Sequence, residues 1–145
     1  MTTLEQLEDY AYEQNINVQR HFHVSKLRGF CVISSNRKII ALNKARLRNS
    51  AEEIVVFAEE IGHLETNSLM PLSDYINPEY KRWTKIRNEL LAKRWAIDRL
   101  LPVEQIQEAI DYGCSNDYEV ADYCGVNIAF LNDAIKYYQR KGIEF

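Results

Sequence analysis

Ile54-Val55-Val56-Phe57-Ala58-Glu59-Glu60-Ile61-Gly62-His63-Leu64 is the stretch that decides the architecture of this chain. It is apolar almost all round, the mark of a helix buried on most of its sides. Just upstream, Asn49-Ser50 offers an N-cap, and Glu52 and Glu53 fall in the first turn, where the helix dipole favours negative charge. The pattern predicts a helix from there to about Asn67. Residues 59 and 63 then stand roughly 6 Å apart on nearly one face. An acid and an imidazole so placed can converge on a single cation. Spacing alone leaves a second reading open: a partly exposed helix in which Glu59 pairs with a basic residue and His63 bonds to backbone.

Outward from this helix the pattern changes twice. Toward the N-terminus, Leu4, Leu7, Tyr10 and Ala11 recur at helical spacing, so residues 3–15 read as an amphipathic helix. Val18, Phe30 to Ser34 and Ile39 to Leu42 read as short strands, with Ser35-Asn36-Arg37-Lys38 as the turn of a hairpin. Toward the C-terminus, a loop with Pro71, Ser73-Asp74 and Asn77-Pro78 leads to a second long helix, Glu79 to Leu100, which stops before Pro102. Three shorter helical patterns follow: Val103 to Tyr112, Tyr118 to Cys124, and Ala129 to Lys141. Helix, small mixed or antiparallel sheet, two long helices and a helical tail make an α+β fold. We expect residues 1–101 to form the core domain and 102–145 a helical C-terminal segment packed on it.

The chemistry of the central helix follows from a metal-binding pattern with one letter changed. In HExxH, two histidines one turn apart bind zinc and the intervening glutamate activates the attacking water. Here His63 and the general-base position, Glu60, are in place, and Glu59 stands at the first histidine. On the second long helix, Glu89 is followed by small Ala92 and Ala96, which would let the two helices approach closely. A ligand from that neighbour would complete three protein donors and leave a place for solvent. The alternative for Glu89 is an exposed i,i+4 pair with Lys93 or Lys85, worth only ~0.3–0.5 kcal/mol.

Composition bounds the rest. The chain has 145 residues, 46% of them hydrophobic and 27% charged, with a formal net charge of −3, which gives no pull toward nucleic acid or anionic membrane. No apolar run approaches the ~18–20 residues that span a bilayer, and Met1-Thr2-Thr3-Leu4-Glu5 lacks the features of a signal peptide. Cys31, Cys114 and Cys124 are odd in number and lack metal-ligand spacing, so we expect reduced thiols in a cytoplasmic protein. From Pro102 onward the net charge is −5. The helix-turn-helix cadence around Gly125 is therefore ill suited to DNA, whose affinity is dominated by phosphate contacts.

Phe57-Ala58-Glu59-Glu60-Ile61-Gly62-His63 resembles the "LAHELGH" helix of the ImmA/IrrE family of metallopeptidases. Glu89, Ala92, Trp95-Ala96 and Leu100-Leu101-Pro102 resemble that family's downstream "ExxAxxFAxxLLxP" helix, in the shape of phage-borne members. The resemblance implies a minimal zincin-like fold in which His63, Glu89 and, in place of a histidine, Glu59 hold Zn²⁺, with Glu60 as the catalytic base. It also implies a substrate or partner: a helix-turn-helix repressor of a phage or mobile element, relieved by cleavage or, alternatively, by non-catalytic binding. Replacing a neutral histidine by a carboxylate makes an ion with these three ligands neutral overall. Such a centre acidifies water less and discriminates less against Mn²⁺ or another divalent ion. The expected consequence is a weaker or alkaline-shifted peptidase.

The remaining features have blander readings. His21 and His23 share a strand face and read as surface histidines rather than a second metal site. Lys81, Arg82, Lys85, Arg87, Lys93 and Arg94 read as a solvated helix face, and Tyr80 and Trp83 as packing residues. Tyr75 and Tyr80 lie in or beside the loop after the central helix, where hydrogen bonding to an oxyanion is an alternative to packing.

Overall fold

The computed structural model describes residues 1–22, 26–69 and 82–145. The order of elements is α1 (Thr3–Glu13), β1 (Ile16–Gln19), β2 (Gly29–Ser34), β3 (Arg37–Leu42), a 3₁₀ turn (Lys44–Arg46), α2 (Ser50–Glu65), α3 (Arg82–Leu100), α4 (Val103–Tyr112), α5 (Asp117–Cys124) and α6 (Ile128–Arg140). This is an α+β fold with helices at both ends of the chain and a small mixed sheet between.

α1 begins with a capping box: Thr2 and Glu5 exchange side-chain and backbone hydrogen bonds at 2.8 and 3.2 Å. It buries Leu7 and Ala11. The sheet order is β1-β3-β2, so β3 is central, antiparallel to β2 and parallel to β1 with Ile16 opposite Lys38. Centrality explains why Ile40 and Leu42 of β3 are wholly buried. The hairpin turn is tighter than the four residues expected: only Ser35 and Asn36 lie outside the strands, while Arg37 and Lys38 belong to β3. Both turn residues have positive φ, 50° and 63°. A two-residue turn of that hand matches the twist of the strands it joins.

α2 starts where the sequence places it, with the Asn49 side chain accepting from the Glu52 backbone at 2.9 Å. Its other end comes slightly early: the helix closes at Glu65 and Asn67 turns to φ 51°. Ile54, Val55, Phe57, Ala58, Ile61 and Leu64 are buried, against the sheet on one side and α3 on the other. The approach to α3 is closest at Gly62. A Cβ there would lie 2.5 Å from the Ala92 carbonyl oxygen. The small residues expected to permit this contact, Ala92 and Ala96, are 1% and 0% exposed.

The apolar core runs without a break from Leu7 through α2 and α3 to Tyr138 of α6. Polar contacts fasten α6 to α3 and to the residue that follows it: the Tyr138 hydroxyl donates to the Leu101 carbonyl at 2.7 Å, the Tyr137 hydroxyl to the Asp98 carboxylate at 3.3 Å, and Lys93 pairs with Asp133 at 2.8 Å. α5 ends on Gly125 at φ 72°, the left-handed position that turns the chain into α6. Cys31, Cys114 and Cys124 are free thiols. Among the described residues no helix is long and apolar enough to cross a membrane.

Candidate metal centre

α2 and α3 bring His63 and Glu89 together: Nε2 of His63 lies 3.7 Å from a carboxylate oxygen of Glu89. That is too long for a good hydrogen bond, and the two form an ion pair only when the imidazole is protonated. His63 is 2% exposed, and its ring is oriented from behind. Nδ1 donates to the Ser68 carbonyl at 2.9 Å, and a carbonyl can only accept, so the Nδ1 proton is fixed. Nε2 is thereby turned toward Glu89, in the tautomer a metal ligand requires. The chain beyond α2 supports this: the Ser68 backbone N–H bonds the His63 carbonyl at 2.9 Å, and its hydroxyl meets the Thr66 hydroxyl at 2.6 Å.

Glu60 is 7% exposed, and one of its carboxylate oxygens, Oε2, has no hydrogen-bond partner. A buried carboxylate with an orphaned oxygen is costly unless some further group meets it. Burial pushes its pKa up to about 7, against the opposing pull of His63 and of a hydrogen bond from the Cys31 thiol. That thiol, on β2, is itself pushed far up by burial and by the neighbouring Glu60 charge. Cys31 is thus an inert donor behind the carboxylate, not a nucleophile.

Glu59 lies on the adjoining groove, a space of about 320 Å³ lined by Glu59, Lys85, Ile86, Glu89, Leu90 and Lys93. Burial, with Glu89 adding to it, raises its pKa to about 7 in spite of Lys93. His63 is held above its ordinary value: burial disfavours the imidazolium, but facing Glu89 and Glu60 outweighs it. Glu89 is held below its ordinary range, burial notwithstanding, by His63 and then by Lys85 and Lys93.

The four residues expected at this site therefore fall on one region, but not with equal closeness. His63 and Glu89 meet, Glu60 is buried near enough to feel the charge of both, and Glu59 lines the groove with Lys93. Among the described residues no three His, Cys, Asp or Glu side chains stand close enough together to hold an ion. The donor set nevertheless fits a divalent cation in kind: an imidazole in the right tautomer, two carboxylates, and an unsatisfied buried carboxylate oxygen alongside. The i,i+4 pair considered for Glu89 is not what Lys93 chiefly does, since its ammonium is drawn to Asp133.

Ser68, Cys31 and Asp133 are the residues whose part at the site is not apparent in the sequence. Of the rest, His21 is exposed and forms an isolated bridge with Asn43. His23, Tyr75, Tyr80 and Lys81, and the loop with Pro71, Ser73-Asp74 and Asn77-Pro78, lie outside the described residues. Trp83 does not pack as expected: at the start of α3 it is 80% exposed. Nor is the basic face of α3 uniformly solvated, because Lys93 and Arg94 turn toward α6, with Arg94 5.8 Å from the Tyr137 ring.

A family model described as the IrrE N-terminal-like domain, Peptidase_M78, matches residues 10–136, well over half of the chain. The chain belongs to that family. It carries a metallopeptidase-like domain of the ImmA/IrrE kind, and the family is a metal-dependent one. No curated protein and no solved structure matches the chain significantly.

Proposed function

We propose that this protein is a metal-dependent endopeptidase that relieves repression by acting on a helix-turn-helix repressor of a phage or mobile element. Glu59, His63 and Glu89 would hold the ion, Zn²⁺ or a harder divalent such as Mn²⁺. The observation that carries this reading is the fixed Nδ1 proton of His63, which leaves Nε2 facing Glu89 with the unpartnered oxygen of Glu60 nearby.

A divalent ion in this place supplies Lewis-acid polarisation of the scissile carbonyl and of the attacking water. Glu60 takes the proton from that water and delivers it to the leaving amine. A carboxyl with a pKa of about 7 is suited to both halves of that transfer. The Cys31 thiol lies beside this carboxylate on the sheet side and lowers its pKa. Ser68 keeps the imidazole from rotating. Membership of a metallopeptidase family supports the reaction class; the acidic C-terminal helices suit contact with a basic DNA-binding protein rather than with DNA.

The test is co-expression with any helix-turn-helix repressor found encoded in its genomic neighbourhood, followed by intact mass of that repressor. Wild type should yield two fragments. Glu60→Gln should lower cleavage by about 10²-fold or more while retaining metal. Derepression that survives Glu60→Gln with the repressor intact would replace this reading by one in which the protein acts through binding alone.

A further inference from the structure

From Pro102 onward the chain carries only three basic residues, Lys136, Arg140 and Lys141, and all of them fall on α6 or at its end. Across from them, α3 turns Lys93 and Arg94 to the same cleft, a space of about 220 Å³. α6 supplies Lys136, Arg140, Tyr137 and Asp133 to its other wall. Four cations thus line the cleft against one carboxylate, in a chain that is negative overall. Lys93 is answered by Asp133 at 2.8 Å. The others are not. Among the described residues Lys136 and Arg140 pair with no carboxylate, and the guanidinium of partly buried Arg94 donates no hydrogen bond. Its Nε is closed off from solvent as well. A cation–π contact with Tyr137 at 5.8 Å answers none of these N–H groups. Native proteins seldom leave a buried donor without an acceptor, because the lost hydration is not recovered.

We propose that the cleft between α3 and α6 binds a phosphoryl group, either inorganic phosphate or the phosphate of a small metabolite, through Arg94, Lys136 and Arg140. A guanidinium presents a planar fork of N–H donors that matches two oxygens of a phosphate, and such charge-assisted pairs are the strong ones. The size of the cleft limits the ligand. It falls below the ~300–1,000 Å³ of pockets that enclose a drug-sized molecule, so it takes a compact, highly charged group. A nucleic-acid backbone would have to continue past the cleft along a C-terminal segment of net charge −5, which repels it.

The site needs no ion on α2 and stands apart from the proposed peptidase reaction. An anion held there touches both helices at once, so it ties the C-terminal segment to α3 and stabilises the folded chain.

Isothermal titration of the full chain with inorganic phosphate, at constant ionic strength and with no divalent ion added, is the test. Wild type should bind one phosphate with a Kd of about 1 mM or tighter, and its Tm should rise with phosphate but not with matched chloride. Arg94→Lys keeps the charge and loses the fork, and should bind about fivefold more weakly. Arg140→Gln and Lys136→Gln, both at exposed positions, should each weaken binding about three- to tenfold. Arg37→Gln removes an equal charge from the β2–β3 hairpin, outside the cleft, and should bind as wild type does. Circular dichroism melts establish that each variant is folded. Tighter binding of glycerol 3-phosphate than of inorganic phosphate identifies the source as a metabolite, and the reverse identifies the free ion. The inference is overturned by a wild type that takes up no phosphate, by an Arg94→Lys variant that binds undiminished, or by an Arg37→Gln loss equal to that of Arg140→Gln. A single-stranded oligonucleotide that binds more tightly than phosphate and displaces it would likewise overturn it, in favour of a polyanion.

Discussion

Gly62→Ala isolates the contact on which the geometry of the site depends. In an exposed helix the change would be favourable, since alanine is preferred to glycine by ~0.5–1 kcal/mol in a helix interior. Here the added methyl would meet the Ala92 carbonyl oxygen at 2.5 Å and its carbonyl carbon and Cα at 3.1 Å. These are backbone atoms of α3, which cannot swing aside as a side-chain tip would. α2 and α3 must separate by several tenths of an ångström at their closest point. Overpacking of this sort costs about 1–3 kcal/mol, which exceeds the propensity gain and leaves a net loss of ~1–2 kcal/mol. For a chain of this size that lowers Tm by roughly 3–6 °C. His63 is the next residue along and Glu89 sits one turn before Ala92, so the 3.7 Å contact widens with the helices. Differential scanning fluorimetry with and without Zn²⁺ reads both effects. We expect a lower Tm without metal and a smaller rise on adding it. A Gly62→Ala protein that melts at or above wild type, with an undiminished response to Zn²⁺, refutes the close-packing argument.

Three further outcomes are expected. Glu59 and Glu60 both have folded-state pKa values of about 7, above the 4.5 of an unperturbed glutamate, so their contribution to stability is fullest below about pH 4.5 and is lost as pH rises through 7. His63, also raised, acts in the same sense, whereas Glu89, lowered, opposes it at acid pH. Chelator-treated protein should therefore be less stable to urea at pH 8 than at pH 6, and Zn²⁺ binding at pH 6 should release protons, seen by calorimetry in buffers of different ionisation enthalpy. Tyr138→Phe removes the hydroxyl that satisfies the buried Leu101 carbonyl and should cost about 1–2 kcal/mol in urea unfolding; a neutral effect would mean that α6 is not fastened there. Glu59→His leaves the ion together with its ligands net positive rather than neutral and should raise peptidase activity at neutral pH, with a pH–rate profile moved to lower pH; no gain at pH 7 would count against the charge argument.

The two long helices were legible because their signals are local. The Asn49 cap and the apolar run through Leu64 specify α2 by themselves, and Glu89, Ala92 and Ala96 share a face by helical spacing alone. The pairing of strands is a different matter. Nothing in Ile16–Gln19 announces that it lies parallel to Arg37–Leu42, because parallel partners are joined by long-range contacts that leave no turn signature. The hairpin was visible in Ser35-Asn36, but its tightness depends on two residues of positive φ, which Asn favours and Ser does not advertise.

At the site, the reacting types were legible and their supports were not. Glu59, Glu60 and His63 are recognisable by spacing, and Glu89 by its place on the neighbouring helix. Ser68 acts through a backbone carbonyl, which any residue could supply, so its identity carries no signal. Cys31 comes from a strand 29 residues away from Glu60 and looks like any buried thiol. Lys93 reads as part of a basic helix face until Asp133 is seen across from it, 40 residues on. Gly62 was quoted with its motif, yet only the proximity of Ala92 explains why it must be glycine.

Metal content, determined by plasma mass spectrometry on protein purified without chelator and reloaded with Zn²⁺, bears most directly on all of this. Wild type should hold close to one divalent ion per chain, and His63→Ala, folded by circular dichroism, should hold almost none. A wild type that neither retains nor takes up an ion, or a His63→Ala variant that binds as well as wild type, would contradict the assignment of His63 with Glu59 and Glu89 as a metal centre.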